Sequence, residues 1–134
     1  MPRMAPQPER RPRVVLADDY PAVLDALGRM LATSCDVVAT VADGAQAVET
    51  VATLEPDVLV VDLMLPDIDG LEVCRRVKQR APQTAVVIIT ASDDMAVRAA
   101  ALRDGVAEFV PKHLAAERLG PTIARVFGER QSPV

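Results

Sequence analysis

Residues 58–66 read Val58-Leu59-Val60-Val61-Asp62-Leu63-Met64-Leu65-Pro66, eight apolar or imino residues around one carboxylate. Burying an unpaired charge is costly, so Asp62 must either end the buried run or meet partners from elsewhere in the chain. The β-branched, almost unbroken stretch Val58–Val61 is the pattern of a strand covered on both faces, the usual condition of a parallel strand.

Comparable runs lie on either side, at Val14-Val15-Leu16-Ala17 and Ala85-Val86-Val87-Ile88-Ile89. A more mixed run stands at residues 37–41 and a weaker fifth at 107–110. Helical spacing fills the intervals: Val23, Leu24, Leu27 and Leu31; Ala47, Val48, Val51 and Leu54; Leu71, Cys74 and Val77; Val97, Ala101 and Leu102; Leu119, Ile123, Val126 and Phe127. Local signals agree. Pro21 suits a first helical turn, Asp43 with Gln46 resembles a capping box, Ser92 suits an N-cap and Gly105 a helix end. Pro56 and Pro82 precede strands without interrupting a ladder. The pattern is strand–helix repeated five times, a (βα)5 α/β chain that implies a doubly wound parallel sheet with right-handed crossovers. A common order for five such strands is 2-1-3-4-5, with its switch point between strands one and three.

The 134 residues suit one domain. The expected boundaries are a disordered Pro/Arg-rich tail over 1–12, a folded unit over 13–128, and a C-terminal tail or linker start over 129–134. The four arginines of MPRMAPQPERRPR are expected to be solvated. Cys35 and Cys74 form neither a disulfide framework nor a metal spacing, which points to a reducing cytoplasmic setting. A net charge of −4 and the absence of Trp argue against a nucleic-acid surface. No apolar run approaches the roughly 20 residues of a membrane span.

Ligands of open α/β sheets bind beyond the carboxyl ends of the strands, at the switch point. Asp18 and Asp19 follow strand one and Asp62 ends strand three, so three carboxylates are expected to converge. Each alone reads more readily as a cap or a solvated turn residue. Together they would raise one another's pKa values unless a cation offsets them, and hard oxygen ligands suit Mg²⁺ or Mn²⁺. Thr90 ends strand four and Lys112 follows strand five on the same sheet edge. A metal, an ammonium and a hydroxyl facing one acid form a set that can hold a phosphoryl group.

With Asp18-Asp19, Asp62 followed by Pro66 and Gly70, Thr90-Ala91, and Lys112 three residues after Phe109, residues 13 to 128 resemble the receiver domain of bacterial two-component response regulators. The resemblance implies a flavodoxin-like fold, with Asp62 as phosphoacceptor. It also implies Mg²⁺ bound by Asp19, Asp62 and the Met64 backbone carbonyl, with Asp18 acting through a water. Lys112 would hold the phosphoryl oxygens, and Thr90 and Phe109 would form a switch that remodels the face of helix four, strand five and helix five. Expected partners are a sensor histidine kinase or phosphotransfer protein and a second copy of the chain on phosphorylation; a DNA-binding output domain could follow in a longer protein and control transcription. Two departures stand out: Pro111 precedes Lys112 where many members place a proline after the lysine, and Met64 occupies a position that is polar in some members.

Rival readings are a degenerate receiver serving as a phosphorylation-independent interaction module, a phosphatase and a flavin- or nucleotide-binding domain. A phosphatase of the haloacid dehalogenase type would carry a second acid where Met64 stands. A nucleotide domain would have a glycine-rich loop where Asp18-Asp19-Tyr20-Pro21 stands. The run Asp67-Ile68-Asp69-Gly70 reads as a turn and helix start, because Arg76 stands where a calcium loop needs a glutamate. His113 reads as a surface residue, and Cys74 as core.

Overall fold

The computed structural model describes residues 10–91 and 94–131. The elements are β1 (Arg13–Ala17), α1 (Pro21–Leu31), β2 (Asp36–Val41), α2 (Gly44–Leu54), β3 (Val58–Asp62), α3 (Gly70–Arg80), β4 (Ala85–Thr90), α4 (Met95–Arg103), β5 (Glu108–Pro111) and α5 (Ala115–Gln131), with a 3-10 turn at Lys112–Leu114. All neighbouring strands are parallel and the order is β2-β1-β3-β4-β5. β3 and β4 are buried at every residue, whereas β2, an edge strand, is only partly covered. The unbroken and the mixed apolar runs are read directly in that difference.

Alternation along the strands divides the core in two. Val15, Leu59, Val61, Val86, Ile88 and Phe109 pack under α2, α3 and α4, while Val14, Val58, Val60, Val87, Ile89 and Val110 pack under α1 and α5. Pro21 opens α1 as its sequence position suggests. The Asp43 carboxylate accepts from the Gln46 N–H at 2.8 Å, but Gln46 returns its amide oxygen to Ala42 rather than to Asp43. Ser92 lies outside the described residues; Asp94 caps α4 by accepting from Ala96 and Val97. Gly105 takes φ +93° just past α4, a left-handed position where glycine is unstrained.

Two expectations are corrected. Leu102 is 44% exposed, because Ala101 already turns toward the sheet and the next residue is carried about 100° round the helix. The arginines just before and within β1 carry partners, although the Arg10 and Arg11 side chains remain 53% and 44% exposed. The Arg10 guanidinium grips Asp57 at 2.8 and 3.1 Å and lies 5.0 Å from the Phe127 ring centroid. Arg11 bonds the Ala32 carbonyl and pairs with Asp36, and Arg13 bonds the Leu54 and Glu55 carbonyls at the end of α2. Asp57 also accepts from the Arg13 N–H, and its own carbonyl accepts from Arg130 of α5. Helix C-termini leave carbonyls without partners and carry partial negative charge, so a cationic segment crossing the amino-terminal edge of the sheet finds acceptors there.

Candidate functional site

At the opposite edge, β1 and β3 lie side by side and deliver their following acids to one point. Asp18 is fully buried, its Oδ1 accepting from the Tyr20 N–H at 2.9 Å. Asp19 is exposed. Asp62 ends β3 at 4% exposure, with Oδ1 held by the Met64 N–H at 3.1 Å. Ligand oxygens of Asp18, Asp19 and Asp62 come within 4.8 Å of one another.

Lys112, the first residue of the 3-10 turn, reaches back across β4. Its Nζ stands 2.8 Å from Asp18 Oδ2 and 2.9 Å from Asp62 Oδ2, and 5.6 Å from the centroid of the Tyr20 ring. Burial alone pulls the ammonium's pKa down, but pairing with Asp18 and Asp62 outweighs it and the net shift is upward. For Asp62, burial pushes the carboxyl up, Lys112 and the Met64 N–H pull it down, and the nearby Asp18 pushes again; the result stays above the ordinary value.

Thr90 ends β4 at 1% exposure and opposite Pro111, so both enter the site from the same sheet edge. Pro111 closes β5 and leaves Lys112 to start the turn, which keeps the lysine in the cleft despite the shifted proline. Met64 projects its side chain outward, 70% exposed, into a cleft of about 730 Å³ that Asp62, Thr90, Ala91, Val97 and Lys112 also line. Phe109, the other residue of the expected switch, is buried at 5% exposure. A phenyl ring has no hydroxyl to hydrate, so the core is its favoured position. His113 is exposed and Cys74 is fully buried.

The donor set fits a hard divalent cation. Asp18 Oδ2 is buried against the Lys112 ammonium at 2.8 Å, and that same ammonium is shared with Asp62, so the acid cluster is only partly neutralised. Three formal carboxylates against one ammonium leave two negative charges, matched by Mg²⁺ or Mn²⁺ with waters completing the coordination.

The loop after Asp62 holds a feature absent from the sequence reading. Asp69 caps α3 by accepting from the Glu72 N–H at 2.8 Å, as a helix start should. Asp67 instead caps a different helix, accepting from the Gly44 and Ala45 N–H groups of α2 at 2.7 and 2.8 Å. No local spacing announces a partner more than twenty residues away.

A family model described as the response regulator receiver domain matches residues 14–124. Response regulator MprA of Mycobacterium ulcerans is 37% identical over 107 residues, which cover 80% of this chain and 46% of that protein. Its Mycobacterium leprae counterpart is 38% identical over the same length. The chain thus spans about half the length of the curated relatives it matches. Among solved structures, a LuxR-family two-component response regulator from Aurantimonas sp. SI85-9A1 superposes with TM-score 0.85 at 28% identity, covering 90% of this chain and 88% of that one. The response regulator domain of Thermotoga maritima CheB gives 0.83 at 26%, covering 92% and 100%.

Proposed function

The chain belongs to the response-regulator receiver family of two-component systems, and on that premise we propose that Asp62 accepts a phosphoryl group from a phosphohistidine on a sensor histidine kinase or phosphotransfer protein. The observation that carries this reading is Lys112 Nζ lying within 3 Å of both Asp18 and Asp62 at the mouth of the cleft. In the transfer, an Asp62 oxygen forms a bond to phosphorus while the bond from phosphorus to the donor imidazole breaks, its electron pair leaving on the imidazole nitrogen. Asp62 is poised for this because β3 fixes its backbone and the Met64 N–H fixes one oxygen, so little orientation is left to be found. Lys112 passes from the carboxylate to the incoming phosphoryl oxygens and neutralises them there. Thr90 donates its hydroxyl to the same group.

Asp18, Asp19, Asp62 and the Met64 carbonyl are the proposed holders of Mg²⁺ or Mn²⁺. When bound, the cation neutralises phosphoryl charge and aligns the donor with Asp62. The product carries more negative charge and more acceptor oxygens than a carboxylate. Thr90 and Phe109 are the proposed relay from these oxygens to the face of α4, β5 and α5, which in turn controls dimerisation or an output domain, with transcription the favoured output. A cytoplasmic setting follows from that role; among the described residues no helix is long and apolar enough to cross a membrane. Intact-mass measurement after incubation with acetyl phosphate and Mg²⁺ tests the proposal. One added phosphoryl group on the wild type and none on Asp62→Asn or with a chelator supports it. An unmodified wild type refutes it in favour of a degenerate receiver acting purely by binding.

A further inference from the structure

The β3–α3 loop, residues 63–69, carries Met64 and is fastened at three places. Gly70 N–H bonds the Leu63 carbonyl at 2.8 Å, closing the loop on itself. Asp69 ties its end to α3. Asp67 reaches out to α2, each carboxylate oxygen taking one of that helix's first two N–H groups. Beside this contact Ile68 packs so closely over Gly44 that a Cβ there would clash with it. Helix N-termini carry donors without intrahelical partners and partial positive charge, so a carboxylate there is well placed. Burial pushes the Asp67 carboxyl up, and its bonds to the Gly44 and Ala45 N–H groups outweigh this and hold it below its ordinary value.

α2 does not depend on Asp67 for capping alone, because Asp43 already serves the Gln46 N–H. What Asp67 adds is a tie between two elements. Only Leu65 and Pro66 separate it from Met64. Pro66 has a fixed φ and confines Leu65 to extended backbone, and Leu65 packs against the core under α2 and α3. A displacement at Asp67 therefore reaches Met64 with little slack.

We propose that Asp67 is a positioning residue for the cation site: its bridge to α2 holds the Met64 backbone at a fixed place relative to Asp62. The proposal rests on the function argued above, in which the Met64 carbonyl is a ligand. Its test is calorimetric titration of the purified chain with Mg²⁺, alongside urea stability and the rate of phosphorylation by acetyl phosphate. Groups behind metal ligands typically change affinity by 10–100-fold, and Asp67 acts at one further remove, so Asp67→Ala is expected to weaken Mg²⁺ binding about three- to tenfold. Saturating Mg²⁺ should return its phosphorylation rate to that of the wild type. Asp67→Asn, which keeps one acceptor oxygen, should fall between. Asp43→Ala removes a cap from the same helix without touching the loop, and should lower stability while leaving Mg²⁺ affinity unchanged. Wild-type affinity in Asp67→Ala, or equal weakening in Asp43→Ala, overturns the positioning role. A wild type that binds no Mg²⁺ overturns both this inference and the function beneath it.

Discussion

Replacing Lys112 with Met keeps the aliphatic stem and removes the charge. The side chains of Asp18 and Asp62 are 1% and 5% exposed, and the Lys112 side chain that reaches between them is 24% exposed. Removing one partner from a buried ion pair costs about 3–5 kcal/mol; partial exposure of the lysine puts this case near the lower end, about 3 kcal/mol. A domain of this size has stability on the order of 10 kcal/mol, so the variant still folds, with Tm lower by roughly 10 °C. The remaining carboxylates lose the influence that pulls the Asp62 carboxyl down, so its pKa climbs further above the ordinary 3.8. A folded acid with a raised pKa binds protons more readily than the unfolded chain, so the variant's deficit should shrink as pH falls toward that value. Adding Asp62→Asn should restore stability for the same reason. Mg²⁺ should bind the single variant more tightly than the wild type, since no ammonium competes for the oxygens, and at 100 times its Kd should add about 2.7 kcal/mol. Phosphorylation from acetyl phosphate should slow. The assay is urea unfolding at neutral pH, with chelator and with Mg²⁺. A metal-free loss of about 1 kcal/mol or less, the range of an exposed pair, or no recovery in the double variant, would refute the reasoning.

Gly70→Ala places a Cβ 2.9 Å from the Asp62 carbonyl oxygen and 3.0 Å from Leu63 Cα, both backbone atoms that cannot rotate aside. The expected cost is about 1–3 kcal/mol, with a slower phosphorylation rate because the strand end bearing Asp62 must shift; urea unfolding and a timed mass assay check it. Asp57→Asn tests the arginine ties. Burial pushes the Asp57 carboxyl up, but Arg10 and the Arg13 N–H outweigh it and hold it below 3.8. A depressed folded pKa contributes stability above the unfolded value that is lost as pH falls through the folded one. The variant should therefore be less stable than the wild type at neutral pH and converge with it below about pH 3.8, read from urea midpoints along the acid branch.

The central strands were legible because they are covered on both faces: a run such as Val58–Val61 has no polar face to hide its identity, and its terminating acid is conspicuous. Asp18, Asp62 and Lys112 were legible for the same reason, since strand ends in a known order fix which residues meet. Partners set by how helices cross rather than by period leave no such mark in the sequence. Asp67 finds α2, and Arg10 finds Asp57 and Phe127, across separations that no local pattern records. Leu102 counts toward an apolar stripe by its helical spacing, whereas α4 presents only Ala101 as a fully buried contact. Phe109 is buried at 5% exposure, a burial that its place in the weak fifth apolar run does not by itself reveal.

Strand β3 has an acid at each end, Asp57 just before it and Asp62 at its close, and the two serve different networks. Five residues of extended chain separate them by about 16 Å. The Arg10–Asp57 pair presents little net charge of its own. Among the described residues the two acids share no hydrogen-bond partner, so each network is tied separately to the strand that joins them. The amino-terminal edge of the sheet is thus fastened by arginines from both ends of the chain, Arg10 and Arg13 before and within β1 and Arg130 in α5, at a distance from the edge that carries the acid cluster.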